Sequence, residues 1–409
     1  MTRHLSPIIL FSAFCILYGC GQGTYKPVDV RITNPTAEDR SGEMVELPAR
    51  SLRSEIGSRH LFVVDSKGNE IPSQVTHDSL LIFKANVSAG KTVRYKVCGS
   101  DTLHHYRKVV GGRIYPERSE DLAWENETGG YRVYGPPTRL RGEPLYGNDV
   151  FFKYPTQELI LDKLYAPQTD PLTAAWIDSI RHTNSSDADS YYQSVSYHVD
   201  HGLGMDCYFV GPTLGAGGNA IARGDSLIYS WCYDYAEVID NGPLRFTAHL
   251  VFCHYDLVPG KSILENRLVT LDSGSKLNRC QIWYDGQTGP MTIVTGFPLR
   301  DDQPARSDIQ AHWLVYSDPT QGTGNGRALL AVVHPQKKCI FTEIEGHIVA
   351  SANIEQGDTL TYYWGGSWMP VQTADTDTWI RQTDQTARRL ASPLRIKAGS
   401  AEFANGTRF

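Results

Sequence analysis

Apolar and polar residues alternate along this chain in short runs, broken by glycine, proline, asparagine and aspartate, which is the period-2 pattern of half-buried strands. Val28 to Ile32, Leu61 to Val64, Leu80 to Phe83 and Thr92 to Cys98 carry it, and turns such as Ser66-Lys67-Gly68-Asn69 separate them. These runs predict a small β-sandwich over residues 25–103. A second series covers Glu127 to Tyr134, Asp149 to Lys153, Ser190 to His198, Ser226 to Tyr235, Leu244 to His254, Ser262 to Asp272, Asn278 to Trp283, Ala311 to Tyr316, Ala328 to Val333 and Thr359 to Trp364. Antiparallel strands so rich in β-branched and aromatic residues indicate sheets packed face to face. The expected fold class is all-β: a small N-terminal sandwich, then a large one over residues 105–395, with 396–409 as a C-terminal tail. Helical spacing is confined to Thr156 to Tyr165 and Thr376 to Leu390. Asp101 to Arg107, with His104 and His105, reads as the linker between the two sandwiches.

The first residues change the picture of where such a fold works. Arg3 and His4 precede an apolar run from Leu5 to Leu17, and Leu17-Tyr18-Gly19-Cys20 follows. The run is too short to span a bilayer. It resembles a bacterial lipoprotein signal whose Cys20 is acylated, which implies a domain tethered to a membrane by lipid alone. No acidic run follows Cys20, so a periplasmic-facing position at the cell envelope is expected. A formal charge of -6 argues against nucleic acid as a partner. Cys98, Cys207, Cys232, Cys253, Cys280 and Cys339 form no CxxC pair, and buried thiols are favoured over disulfides.

Candidate chemistry concentrates in Tyr197 to Gly218, YHVDHGLGMDCYFVGPTLGAGG, where two histidines, two acids, two tyrosines and six glycines share 22 residues. His198, Asp200, His201, Asp206 and Tyr208 are the groups it can present. Three readings stand together. A turn at His201-Gly202 would let His198, His201 and Asp206 converge on a divalent metal. An aspartate beside a histidine would set its tautomer for acid–base work near neutral pH. In the third, these polar groups satisfy one another inside a glycine-rich turn.

The blocks ENETGGYRVYGP (125–136), YGNDVFFKY (146–154), YHVDHGLGMDCYFVGPTLGAGG (197–218), ENRLVTLDSGSKLNR (265–279) and TYYWGGSWMP (361–370) resemble the DUF4861 family in order and spacing. The resemblance covers residues 105–392. It implies a galactose-mutarotase-like β-supersandwich for the large unit. It also implies acidic glycans as substrate class, because such members are mostly Bacteroidetes proteins encoded beside unsaturated-uronyl hydrolases in polysaccharide utilisation loci. Fold alone does not give an activity.

An oligosaccharide substrate agrees with the residues themselves. Tyr134, Trp364, Trp368 and Tyr255 are candidates to line a sugar cleft, with His254 and Asp149 as polar contacts. Arg132 leads the candidates for a bidentate grip on a uronate, with Arg139 and Arg141 as the others. Lyase or dehydratase chemistry would draw one cation from Arg132, a base from His198 or His201 and an acid from Tyr208. A hydrolase would instead pair two of Asp149, Asp200 and Asp206, and a binding or mutarotating module would use the same histidine and carboxylate groups. No cofactor is specified beyond the metal reading.

Overall fold

The computed structural model describes residues 25–258, 261–335 and 339–406, so Cys20 lies outside the described residues. In the N-terminal unit Val28, Val30 and Ile32 alternate inward while Asp29 and Arg31 face water, as a half-buried strand requires. A six-stranded and a three-stranded antiparallel sheet enclose a core built around Val45, Leu47, Leu81, Phe83 and Val97. Helix Ala49–Ile56 adds Leu52 and Ile56 to that core.

The expected C-terminal tail is a correction to make. Arg395–Ala398 pairs antiparallel with Val28–Thr33, and Ala401–Ala404 continues the sheet. Without this hairpin Val28–Thr33 would be an exposed edge with unpaired N–H and C=O groups. Ile396 and Ala398 bury their side chains in the N-terminal core, so Val28–Thr33 and Arg395–Ala404 belong to one unit.

The large unit stacks three antiparallel sheets. An eight-stranded sheet contains the hairpin Arg245–Val258 with Lys261–Asp272 and has Leu277–Asp285 and Leu360–Met369 at its centre. A five-stranded sheet contains Gly218–Arg223, Met291–Pro298 and His347–Ile354. A second five-stranded sheet runs Gly204–Met205, Asp149–Lys153, Gly130–Val133, Asp121–Glu125 and Gly111–Tyr115. Between the sheets the Trp364 ring meets Trp124 at 6.2 Å and Tyr131 at 5.4 Å, edge to face. Trp124 Nε1 donates to Asn278 Oδ1 at 2.7 Å, which satisfies the indole inside the core.

Two helical features position the rest. Leu161–Thr169, Pro171–Arg181 and Ser185–Val195 form a cover over the outer face of that last sheet, where Leu161, Leu164 and Tyr165 pack on Ala123, Phe151 and Tyr197. The strand expected over Ser190 to His198 is therefore helix as far as Val195. Asn184 caps it by accepting from Asp187 N, and the buried Ala188 faces inward. Caps of this kind outweigh the β-propensity of the tyrosines. At the other end Thr376–Ala391, capped by Asp375, lays Trp379, Thr383 and Ala387 on the outer face of the eight-stranded sheet. Their i, i+4, i+8 spacing is one helix face.

Candidate active site

Adjacent strands of the covered sheet put ionisable groups on one face. Arg132 lies opposite Asp149 and Ala123 in register, and residues two apart share a face, so Asp121, Arg132 and Asp149 point under the helical cover. Asp206 arrives just after Gly204–Met205, which pairs with Phe152 and Lys153. Gly204 has φ 109, and a Cβ there would lie 2.1 Å from the carbonyl oxygen of Phe152, so only glycine brings the chain in this close.

Arg132 Nη2 donates to Asp206 Oδ2 at 2.8 Å and to Asp149 Oδ2. Tyr134 Oη donates to the same Asp149 oxygen at 3.0 Å. Asp121 Oδ2 lies 3.9 Å from Arg132 Nε. The rings of Phe151, Tyr134 and Tyr197 surround the guanidinium carbon at 4.9, 5.0 and 5.9 Å. Three buried acids therefore face one buried guanidinium. Burial first, and then the charge of Asp206, pushes the carboxyl of Asp149 up to about 7, against the pull of Arg132. The network also lacks partners: Arg132 Nε and Nη1, Asp121 Oδ2, Asp206 Oδ1 and Tyr165 Oη are buried without one. Buried polar groups are normally satisfied, so orphans gathered around a carboxyl raised to near neutral pH mark a candidate site.

His198 is the network's outlet to solvent. Its side chain is 39% exposed, while Asp206 beneath it is 1% exposed. Nδ1 lies 2.9 Å from the Asp206 carbonyl oxygen and 3.5 Å from Oδ2. A carbonyl only accepts, so Nδ1 carries the hydrogen and neutral His198 keeps its lone pair on Nε2.

The structure brings together Arg132, Tyr134, Asp149, Asp206 and His198, and it separates the others. His201 is exposed and directs Nε2 to the Ser196 carbonyl at 3.1 Å, so His198, His201 and Asp206 do not converge as the metal reading required. Among the described residues no three His, Cys, Asp or Glu side chains form a metal-holding group. Asp200 is a turn cap that accepts from Gly202 N, Gly204 N and Tyr154 Oη. Tyr208 is buried in a different cluster, bonded to Asp318 at 2.9 Å and Arg300 at 3.1 Å, where burial pushes the Asp318 carboxyl up to about 6. His254 sits between the sheets on Glu265 at 3.0 Å. The side chain of Tyr255 lies outside the described residues. Trp364 is fully buried and Trp368 is 4% exposed between Phe152 and Tyr154, so neither offers an open stacking face. Arg139 is tied to Trp231 O and Asp234. Arg132 itself is sealed by acids, which makes it the organiser of the carboxylates.

Residues outside the motif blocks complete the picture. Arg118 donates Nε to Tyr197 Oη at 2.6 Å and lies 3.8 Å from Asp121, with its side chain 24% exposed. Asp121 and Arg118 stand just upstream of the ENETGG block, and only sheet register shows that they belong with it. A cavity of about 700 Å³ opens elsewhere, between the N-terminal unit and the C-terminal helix, and none of these groups lines it. Volume marks room; the acids, the guanidinium and the half-exposed histidine mark chemistry.

Fold and site together define an all-β protein of stacked sandwiches with an acid, arginine and histidine network under a helical cover. The chain belongs to the DUF4861 family, a domain of unknown function, which matches residues 32–396. It is 22% identical over 96% of its length to "Uncharacterized protein P7" of Formosa agariphila, 99% of which is covered. Among solved structures it is similar to a protein in glycosyl hydrolase family 38 from Enterococcus faecalis and to an α-mannosidase from Enterococcus faecalis V583. Both are 8% identical with a TM-score of 0.48, and the match covers 93% of this chain but 48% and 46% of theirs. The chain thus spans about half the length of those structures.

Proposed function

We propose that this protein is a carbohydrate-active enzyme that eliminates across C4 and C5 of a uronic-acid unit in an oligosaccharide, with His198 as the base. The observation that carries this is the setting of His198: half in solvent, its Nδ1 hydrogen fixed by Asp206, its Nε2 lone pair free. Nε2 takes the C5 hydrogen, the C5–H electron pair becomes the C4–C5 double bond, and the C4–O pair leaves on oxygen. The departing oxygen takes a proton from Tyr154, an exposed phenol on Asp200 whose hydrogen bond to that carboxylate holds its pKa up and keeps it protonated. In this reading Arg118 supplies the cation for the substrate carboxylate. The uronate substrate class comes from the family resemblance, and acylation at Cys20 would hold the enzyme at the envelope.

Hydrolysis by Asp149 and Asp206 fits less well. Both are buried on one nitrogen of Arg132, whereas a glycosidase needs its two carboxylates on either side of a sugar bond. The test is incubation with uronate oligosaccharides, followed by mass and ultraviolet absorbance. Elimination gives either a product lighter by one water or fragments with the absorbance of a conjugated double bond. His198→Gln should lower turnover by roughly 10²–10⁴-fold with unchanged Tm. Products heavier by one water without new absorbance would replace this reading with hydrolysis.

A further inference from the structure

The cavity of about 700 Å³ lies where three parts of the chain meet. Its walls are the strand Arg40–Pro48 of the N-terminal unit, the outer face of the eight-stranded sheet and helix Thr376–Ala391. That volume is in the range of ligand clefts. Its three acids each face an arginine, while Glu43 Oε2 stays buried without a hydrogen-bond partner. Arg245 takes Asp272 at 2.6 and 2.8 Å and Glu46 at 2.6 Å, while Arg40 takes Glu43 at 2.7 Å.

Three cations, Lys276, Arg279 and Arg389, have no hydrogen-bonded acid among the described residues; Arg389 Nη2 donates to the Asp39 carbonyl at 3.0 Å and its buried Nε has no partner. Lys276 Nζ donates to Ser367, Thr373 and Gln382 at 3.2, 3.0 and 3.1 Å, all neutral acceptors, and it makes no ion pair among the described residues. Arg279 Nη1 is 3.8 Å from Glu46, beyond a hydrogen bond, and its buried Nε has no partner. A guanidinium nitrogen buried without an acceptor is costly unless something supplies one. Thr361, Tyr363 and Gln385 line the same space, and their side chains make no hydrogen bond among the described residues. The indole at the wall, Trp379, is 2% exposed with Lys276 Nζ 5.5 Å from its ring, so it offers no face for a flat base.

We propose that this cavity binds an anionic saccharide, its acidic group against Lys276 and Arg279 and its hydroxyls against Thr361, Tyr363 and Gln385. The site is separate from the His198 network and does not depend on the reaction proposed there. The acidic group is a carboxylate or a sulfate ester, which share the same recognition by two cations.

Calorimetry on the His198→Gln chain, in which turnover should be slowed, tests it with three probes: a trigalacturonate, its methyl ester and a sulfated disaccharide. An acidic probe should occupy a site that the methyl ester leaves empty, and the probe that binds identifies the acid. Lys276→Met and Arg279→Gln should each weaken that site at least tenfold. Thr386→Trp, which fills the cavity from the helix and leaves Lys276 and Arg279 in the sequence, should abolish it. Asp149→Asn should leave it unchanged, so failure here is distinguishable from failure of the catalytic reading. Absence of binding by both acidic probes, equal binding of the methyl ester, or full binding in the Thr386→Trp chain with unchanged Tm would overturn the proposal.

Discussion

Two buried arginine–carboxylate networks in this molecule are built from the same residue types and end in opposite states. Around Glu265 one carboxylate gathers Asn219 at 2.9 Å, Ser230 at 2.9 Å, His254 and Tyr284 at 3.0 Å each, and Arg267. Burial opposes its charge, but Arg267 and His254 win and hold the carboxyl well below the usual range. Around Arg132 the ratio is inverted: Asp121, Asp149 and Asp206 share one guanidinium, and the Asp149 carboxyl is driven up to about 7. Abundant donors fix a charge and make a brace. Burial, with a second carboxylate on the same guanidinium, leaves a proton undecided near neutral pH, which is what acid–base chemistry needs.

The comparison is broken most sharply by cutting at Glu265, the carboxylate with the most donors. Glu265→Ala strands Arg267 in the core and should cost about 3–5 kcal/mol in denaturant unfolding. The matching cut at Asp149 should have the opposite sign. The folded-state pKa of Asp149 is raised, so the fold favours its protonated form. Its contribution is present below the unfolded value of about 4 and is lost as pH rises towards about 7. Asp149→Asn should therefore flatten the fall in Tm between those pH values, and it should stabilise the chain at pH 8. If Tm at pH 8 drops instead, the acids are better compensated than the geometry implies.

Smaller effects sharpen the contrast. Tyr284→Phe removes a donor from a fixed charge and should cost about 1.5–3 kcal/mol. Tyr134→Phe removes the corresponding donor from Asp149, which is partly protonated near pH 7, and should cost only about 0.5–1.5 kcal/mol at that pH. Equal losses at both tyrosines would mean that the two carboxylates carry the same charge.

Much of the fold was legible because strand patterning is local. Asp149–Lys153, Arg327–Val333 and most of Arg245–Val258 lie where alternation placed them. Met291–Pro298 and His347–Ile354 escaped that reading although both are central to their sheet. Of the helical cover, Leu161–Thr169 overlaps the helix expected over Thr156 to Tyr165, while the other two escaped because Asp170 and Asn184 begin them with side-chain caps that hydrophobic period does not register.

The sequence by itself determined that the chain is all-β, that polar residues cluster around 197–218, and that Arg132, Tyr134, Asp149, Asp206 and His198 deserve notice. Tertiary structure alone decided which of the noticed residues meet. Asp206 and Tyr208 are two residues apart, yet one joins Arg132 and the other joins Asp318. Arg132 and Asp206 are 74 positions apart and touch because strand register and a glycine-tight crossing bring them together. Alternation dictates which side chains turn inward, but the charge that a buried group keeps depends on its partners, and those come from distant segments.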